Sequence, residues 1–380
     1  MTSRRSADVE PFLAVEVAER AAALERDGAD VVYLAFGEPD FEAPAVVRDA
    51  MERAVKDGRT GYAHSLGILD LREAIAEHYQ EAYRVRVTPD QVLVTPGTSP
   101  AMLLLFGHLL DRGDEVVISD PYYACYPNFI RYAEGVPVTV PVDEADGFQY
   151  RPDAIRERLT PRTKAVMINS PANPTGAVLS DDRLRAIAGL GPVVVSDEIY
   201  HGLTYEGPER TILEFTDHAF VLNGFSKRFA MTGYRLGWVI GPPDDIRALQ
   251  KLFGNFFIST NEFVQYAGVA ALREAADDAR AFRTRFAERR RVMIDGLRAI
   301  GLGVGFEPAG AFYVLANARQ YTNDSVGFAF EILEHTHVAV TPGAAFGPGA
   351  EGYLRFSYAN SVERIREGLA RLGAFLARRR

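Results

Sequence analysis

Cysteine is nearly missing from this chain: its 380 residues include one, Cys125. That excludes a disulfide framework within the chain and any cysteine-built metal cluster. The stretch around it, YYACYP, is bulky and apolar, the setting of a buried structural thiol. An excess of positive charge is missing too. The formal net charge is −9, which argues against a nucleic-acid footprint while leaving room for a local basic pocket. No apolar run is long enough to cross a bilayer. The strongest, Ala101 to Leu110, is too short and is interrupted by His108. The opening residues carry two arginines with no apolar stretch behind them, so they do not form a secretion signal. These absences predict a soluble, cytoplasmic chain without membrane, nucleic-acid or metal partners.

What is present is the mix of an ordinary globular protein, 47% hydrophobic and 24% charged. At roughly 150 residues per unit, the length predicts two or three units. Residues 1–30 read as an amphipathic helix ending at Gly28, and Val31 to Ala35 as a short strand. Residues 44–57 and 69–83 read as helices; in the second, Leu71, Ile75 and Tyr79 recur every four positions. From Val92 to about residue 241, short apolar runs alternate with helical stretches. This predicts a mainly parallel sheet covered by helices. Residues 243–300 read as mostly helical, with the arginine-rich part, 276–298, presenting a solvated face. Short strands and helices follow, an α+β pattern joined by the N-terminal segment.

Each candidate strand of the alternating region ends in an unusual polar cluster, and open α/β sheets bind ligands at such ends. Gly97, Thr98 and Ser99 follow Val92–Thr95 at a helix start, where free N–H groups can hold a phosphate or simply be capped. Tyr122, Tyr123 and Tyr126 follow Val116–Ser119 and can stack on a flat ring or pack in the core. Asn173 stands in an NPTG turn, able to aim its amide at a ligand oxygen. Asp197 follows a β-branched run and must find a partner there, because an unpaired buried carboxylate is costly. Lys227 lies in a loop between the runs Ala219–Leu222 and Leu236–Ile240. Lost hydration there lowers its pKa and frees a neutral amine for an aldehyde. Arg235, between two glycines, suits a phosphate. Singly, each has a structural explanation. Together they supply a phosphate cradle, an aromatic stacking face, an acid and an amine, which are the needs of pyridoxal 5′-phosphate.

The order of motifs GEPDF (37–41), GYAHSLGILDLREAIA (61–76), PGTSPAM (96–102), DPYYACY (120–126), NPTG (173–176), DEIY (197–200), SKRFAMTGYRLG (226–237), GAFY (310–313) and GYLRFSYA (352–359) resembles the fold-type I pyridoxal phosphate enzymes, in particular the class I/II aminotransferases. The resemblance implies a three-layer α/β large domain, residues 45–280, with a smaller α+β domain built from 1–44 and 281–380. It implies that Lys227 forms the cofactor aldimine and moves the proton. Asp197 pairs with the ring nitrogen, and Tyr200 and Asn173 bond the ring hydroxyl oxygen. Tyr123 stacks on the ring. Gly97, Thr98, Ser99, Ser226 and Arg235 hold the phosphate, joined by Tyr62 of a neighbouring subunit in a homodimer with shared sites. Arg355 clamps the substrate α-carboxylate, helped by Gly37 and Asn173. His64 and Phe346 are candidates for the side-chain pocket, and no lysine or arginine matches the cation that aspartate-specific relatives place there. The implied activity is ping-pong transfer of an amino group from an L-amino acid to a 2-oxo acid (EC 2.6.1.-). A β-eliminating C–S lyase on the same fold is the alternative.

Overall fold

The computed structural model describes residues 3–379. Its N-terminal segment holds two helices, α1 (Arg4–Ala7) and α2 (Leu13–Arg26), where one was expected. Pro11 lies in the break, and a proline steers its preceding residue away from helical geometry. There follow β1 (Val32–Tyr33), α3 (Ala45–Lys56) and α4 (Leu69–Tyr83). The alternating region runs β2 (Val92–Thr95), α5 (Thr98–Leu109), β3 (Glu115–Asp120), α6 (Tyr126–Tyr132), β4 (Val136–Pro141), α7 (Pro152–Arg156), β5 (Thr163–Asn169), α8 (Asp181–Ala188), β6 (Val193–Asp197), β7 (Ala219–Gly224) and β8 (Gly237–Ile240). Helices α9 (Pro243–Phe256), α10 (Glu262–Glu274) and α11 (Ala276–Ala299) lead to β9 (Tyr313–Asn317), α12 (Ser325–Thr336), β10 (Val338–Ala339), β11 (Thr341–Pro342), β12 (Tyr353–Ser357) and α13 (Val362–Ala377).

The seven-stranded sheet has the order β2-β8-β7-β6-β5-β3-β4. Strand β8 runs antiparallel to both its neighbours, and the other pairings are parallel. Its central strands are continuous apolar runs because both faces are covered. Leu105 and Phe106 of α5 and Leu249 and Phe253 of α9 pack on one face. Leu71 and Ile75 of α4 and Ala267 and Ala271 of α10 pack on the other. This topology fixes where the chemistry gathers. The carboxyl ends of β2, β3, β5, β6 and β7 lie along one edge, and reversed β8 brings its amino end to the same edge.

A second core joins α11, α12 and α13 to the antiparallel sheet β11-β12-β9, with Val32 and Leu34 contributed from the N-terminal side. Strand β1 pairs in parallel with β10. The arginine run corrects one expectation. Most of α11 is polar and exposed, but Arg289 and Arg290 are only 8% and 6% accessible. Arg289 makes a two-pronged pair with Asp40 at 2.5 and 2.9 Å and lies over the Phe41 ring. Arg290 meets Glu206 at 2.8 Å. Two loops lie over this part of α11, the one after β1 with Asp40 and the one after β6 with Glu206, so these guanidiniums meet loop carboxylates rather than water. Among the described residues no helix is long and apolar enough to cross a membrane, and no cluster of His, Cys, Asp and Glu could hold a metal ion.

Candidate active site

A cavity of about 290 Å³ opens at that sheet edge. Lining it are Gly37, Thr98, Ser99, Tyr123, Asn173, Asp197, Tyr200, Ser226, Lys227, Arg235 and Arg355, most of the residues singled out in the sequence. Tyr62 is not among them; its side chain is 82% exposed elsewhere on the surface. Neither is His64, whose Nδ1 accepts from the Leu66 N–H within its own turn. Phe346 is fully buried and lies behind Arg355, 4.8 Å from ring centre to guanidinium carbon.

Lys227 leaves the loop after β7 and donates from Nζ to the Gly37 carbonyl at 2.6 Å. Its pKa is pulled from 10.5 to about 8, first by loss of hydration, opposed by nearby Glu38, and further by the positive charges of Arg235 and Arg355. A neutral amine is therefore accessible near physiological pH. Asp197, at the end of β6, is 4% exposed. The Tyr126 hydroxyl donates to its Oδ2 at 2.7 Å and the Ile199 N–H to its Oδ1 at 3.2 Å. Burial still outweighs these bonds and raises the carboxyl to about 6. An acid in this state lacks a cationic partner.

Arg355, on β12, is 3% exposed, and its partners are neutral oxygens. It donates to Asn173 Oδ1 at 2.8 Å, to the Ala35 carbonyl at 2.5 Å and to Thr341 Oγ1 at 3.2 Å. Its Nε is buried without a hydrogen-bond partner, and the guanidinium lies over the Tyr313 ring at 4.3 Å. A buried guanidinium so poorly neutralised calls for an anionic ligand. Because the Asn173 oxygen accepts from Arg355, its NH₂ remains as a donor. The Tyr200 hydroxyl is paired with that of Tyr313 at 2.8 Å.

At the other end of the cavity, Gly97 precedes α5 at the N-cap and gives no side-chain cap, leaving the first N–H groups of the helix free. Gly97 has φ 94° and ψ 174°, a conformation essentially reserved for glycine. A Cβ there would stand 2.7 Å from Arg235 Nη2. Arg235 itself has φ 53° and is held by a bond from Nη1 to the Thr232 carbonyl at 2.9 Å. The loop, the helix start and the guanidinium thus form a close-fitting anion cradle. Tyr123 stands beside it, edge-on to Tyr126 with ring centres 5.2 Å apart.

Two residues of this constellation escaped the sequence reading: Tyr126 as the partner of Asp197, and Tyr313 as the partner of Tyr200 and platform for Arg355. Both sit in motifs of the ordered set, DPYYACY and GAFY, but only the fold pairs their hydroxyls.

An amine set against a desolvated acid, with one cradle for a phosphate and a separate buried arginine for a carboxylate, defines an enzyme that handles amino acids through a phosphorylated aldehyde cofactor. The chain belongs to the Aminotransferase class I and II family, whose profile matches residues 29–372. It is 41% identical to an aspartate/prephenate aminotransferase of Thermus thermophilus, over 99% of both chains. It is 38% identical to a valine–pyruvate aminotransferase of Mycobacterium tuberculosis, over 97% of each. A solved Thermus thermophilus aspartate aminotransferase with maleate superposes at a TM-score of 0.95, with 39% identity over 98% of this chain and 99% of that one. This chain is accordingly a pyridoxal phosphate-dependent aminotransferase, and the lyase alternative is not favoured.

Proposed function

We propose that this enzyme passes the amino group of an L-amino acid to a 2-oxo acid in two half-reactions, with Lys227 as the residue that binds the cofactor and moves the proton. The observation that carries this reading is the Lys227 amine, lowered to about 8 and lying in one cavity with Asp197 and Arg355. The Gly97–Ser99 loop, Ser226 and Arg235 would hold the phosphate, Asp197 the ring nitrogen, Tyr123 the ring face, and Tyr200 with the Asn173 NH₂ the ring hydroxyl. The bound cofactor supplies an aldehyde that exchanges amino groups and a ring that draws electrons from the substrate Cα–H bond. Asp197, as a carboxylate, keeps a proton on the ring nitrogen. Arg355 receives the α-carboxylate, with Nε as the free prong, and so turns Cα–H toward Lys227. Neutral Lys227 accepts that proton on Nζ and returns it one position away.

The homodimer belongs to the same reading: Tyr62, 82% exposed in the single chain, is supplied to the partner's phosphate end. So does the division into a unit of residues 45–280 and a smaller one of 1–44 with 281–380; the second core supports it. A reducing cytoplasm suits a chain with one thiol.

The test is spectroscopic. L-Amino acids added without an acceptor should diminish the visible band of the purified holoenzyme, and a 2-oxo acid added next should restore it. A band that persists while ammonia and 2-oxo acid accumulate overturns the transfer reading in favour of elimination.

Gly97→Ala probes the cradle. The backbone at φ 94° and the approach to Arg235 together cost about 1–3 kcal/mol. Cofactor affinity should fall by about ten-fold or more, measured by fluorescence titration of the apoenzyme. Unchanged affinity would remove Gly97 from the phosphate site.

A further inference from the structure

We infer that the substrate side chain recognised by this enzyme is bulky and uncharged, and that Phe36, Phe12 and Val15 form the site that receives it. The inference rests on the amino-transfer reading and names its substrate class. The cations lining the cavity are Lys227, Arg235 and Arg355. Each has a task set by its surroundings: the amine beside Asp197, the phosphate cradle, and the buried carboxylate clamp. Among the described lining residues of this chain no further lysine or arginine is left for a second substrate carboxylate, so any such cation would have to come from the partner subunit.

The walls beyond those groups are apolar. Ala35 gives its carbonyl to Arg355 and Gly37 gives its carbonyl to Lys227, so Phe36 is fixed between the contacts of the two groups that orient a substrate. Its ring is 44% exposed at the cavity mouth, held by stacking on Tyr33 at 5.2 Å. Val15, also 44% exposed, lines the same mouth from α2. Phe12, just before α2, stands edge-on to Tyr123 at 6.3 Å. With the amino group at Lys227 and the carboxylate at Arg355, the third substituent on Cα leaves toward this mouth. Exposed apolar side chains gain most when a ligand covers them. Glu38, adjacent to Gly37, is close enough to act on the charge of Lys227. It disfavours a second acid by like-charge repulsion.

The test compares two unreactive acids as ligands of the holoenzyme by calorimetry. 3-Phenylpropanoate carries one carboxylate and a ring; succinate carries two carboxylates. 3-Phenylpropanoate should bind at least about ten-fold more tightly, the usual scale for filling an apolar pocket. Phe36→Ala should narrow that ratio by about ten-fold, and Val15→Arg should raise succinate affinity. Tighter binding of succinate by the unaltered enzyme overturns the inference. The half-reaction separates the two levels. Faster bleaching by L-phenylalanine than by L-aspartate supports both. Faster bleaching by L-aspartate overturns the side-chain assignment and leaves amino transfer standing. No bleaching by any amino acid overturns both.

Discussion

Lys227→Ala is expected to lower turnover by at least about 10⁴-fold, since under the proposed roles one substitution removes both the nucleophile and the proton carrier. No other group in the cavity can replace it. Arg235 is held in the anion cradle and Arg355 is tied to Asn173, Ala35 and Thr341. Asp197 is raised only to about 6 and is held by Tyr126 and Ile199. The fold should survive, because Lys227 contributes one hydrogen bond, to the Gly37 carbonyl, and is charged at neutral pH at the expense of hydration. Single-turnover kinetics with an amino acid and an unchanged circular dichroism spectrum check both halves. Retention of wild-type turnover would sink the assignment.

Asp197→Asn should separate activity from stability. The amide oxygen can accept from the Ile199 N–H while its NH₂ donates to the Tyr126 hydroxyl oxygen, so both contacts survive, but it carries no charge to set against a protonated ring nitrogen. A loss of about 10²–10³-fold in turnover is expected, the scale for losing one preorganised electrostatic contact. The effect on the apoenzyme should have the opposite sign. The folded-state pKa is raised from 3.8 to about 6, so between those values the folded protein holds a proton that the unfolded chain has released. Stability therefore falls as pH rises from about 4 to about 6, and the full deficit, about 3 kcal/mol, persists above that window. The Asn variant has no such deficit. Its cofactor-free form should melt several degrees above the parent at pH 7, with the difference closing toward pH 4. Cofactor should then raise the melting temperature of the parent more than that of the variant. Equal melting of the two apoproteins at pH 7 would mean that the Asp197 carboxylate is not under the strain its burial implies.

The parts of the site legible in the sequence are those that follow directly from a strand. Buried parallel strands are continuous apolar runs, so their ends are visible, and a polar residue just beyond an end is already at the ligand edge. Asp197, Asn173, Lys227 and the Gly97 loop were found in this way. Arg355 was reached only through its resemblance to a known motif, because β12 belongs to the second core. What remained hidden depends on contacts between distant segments. Tyr126 and Asp197 are 71 positions apart, and Tyr200 and Tyr313 are 113 apart. A tyrosine gives no sign in sequence of which carboxylate or hydroxyl its own will meet. Arg289 and Arg290 were misread for the same reason. Helical periodicity identifies a polar stripe, but it does not disclose that a loop bearing Asp40 closes over it.

The contact between the Ala35 carbonyl and Arg355 spans 320 positions, and β1 is paired with β10 across almost as much of the chain. This bears on biosynthesis. Every strand of the seven-stranded sheet lies between Val92 and Ile240 and its last covering helix, α10, ends at Glu274, so that layer can assemble while residues 275–380 are still being made. The N-terminal segment, carrying Phe36 and Gly37, has to wait as an unpaired strand until β10 and β12 have left the ribosome. Closing so long a loop is slow, and it comes last. A chain stopped before Arg355 would therefore present the sheet and the Gly97–Arg235 anion cradle without the buried guanidinium at the other end of the cavity.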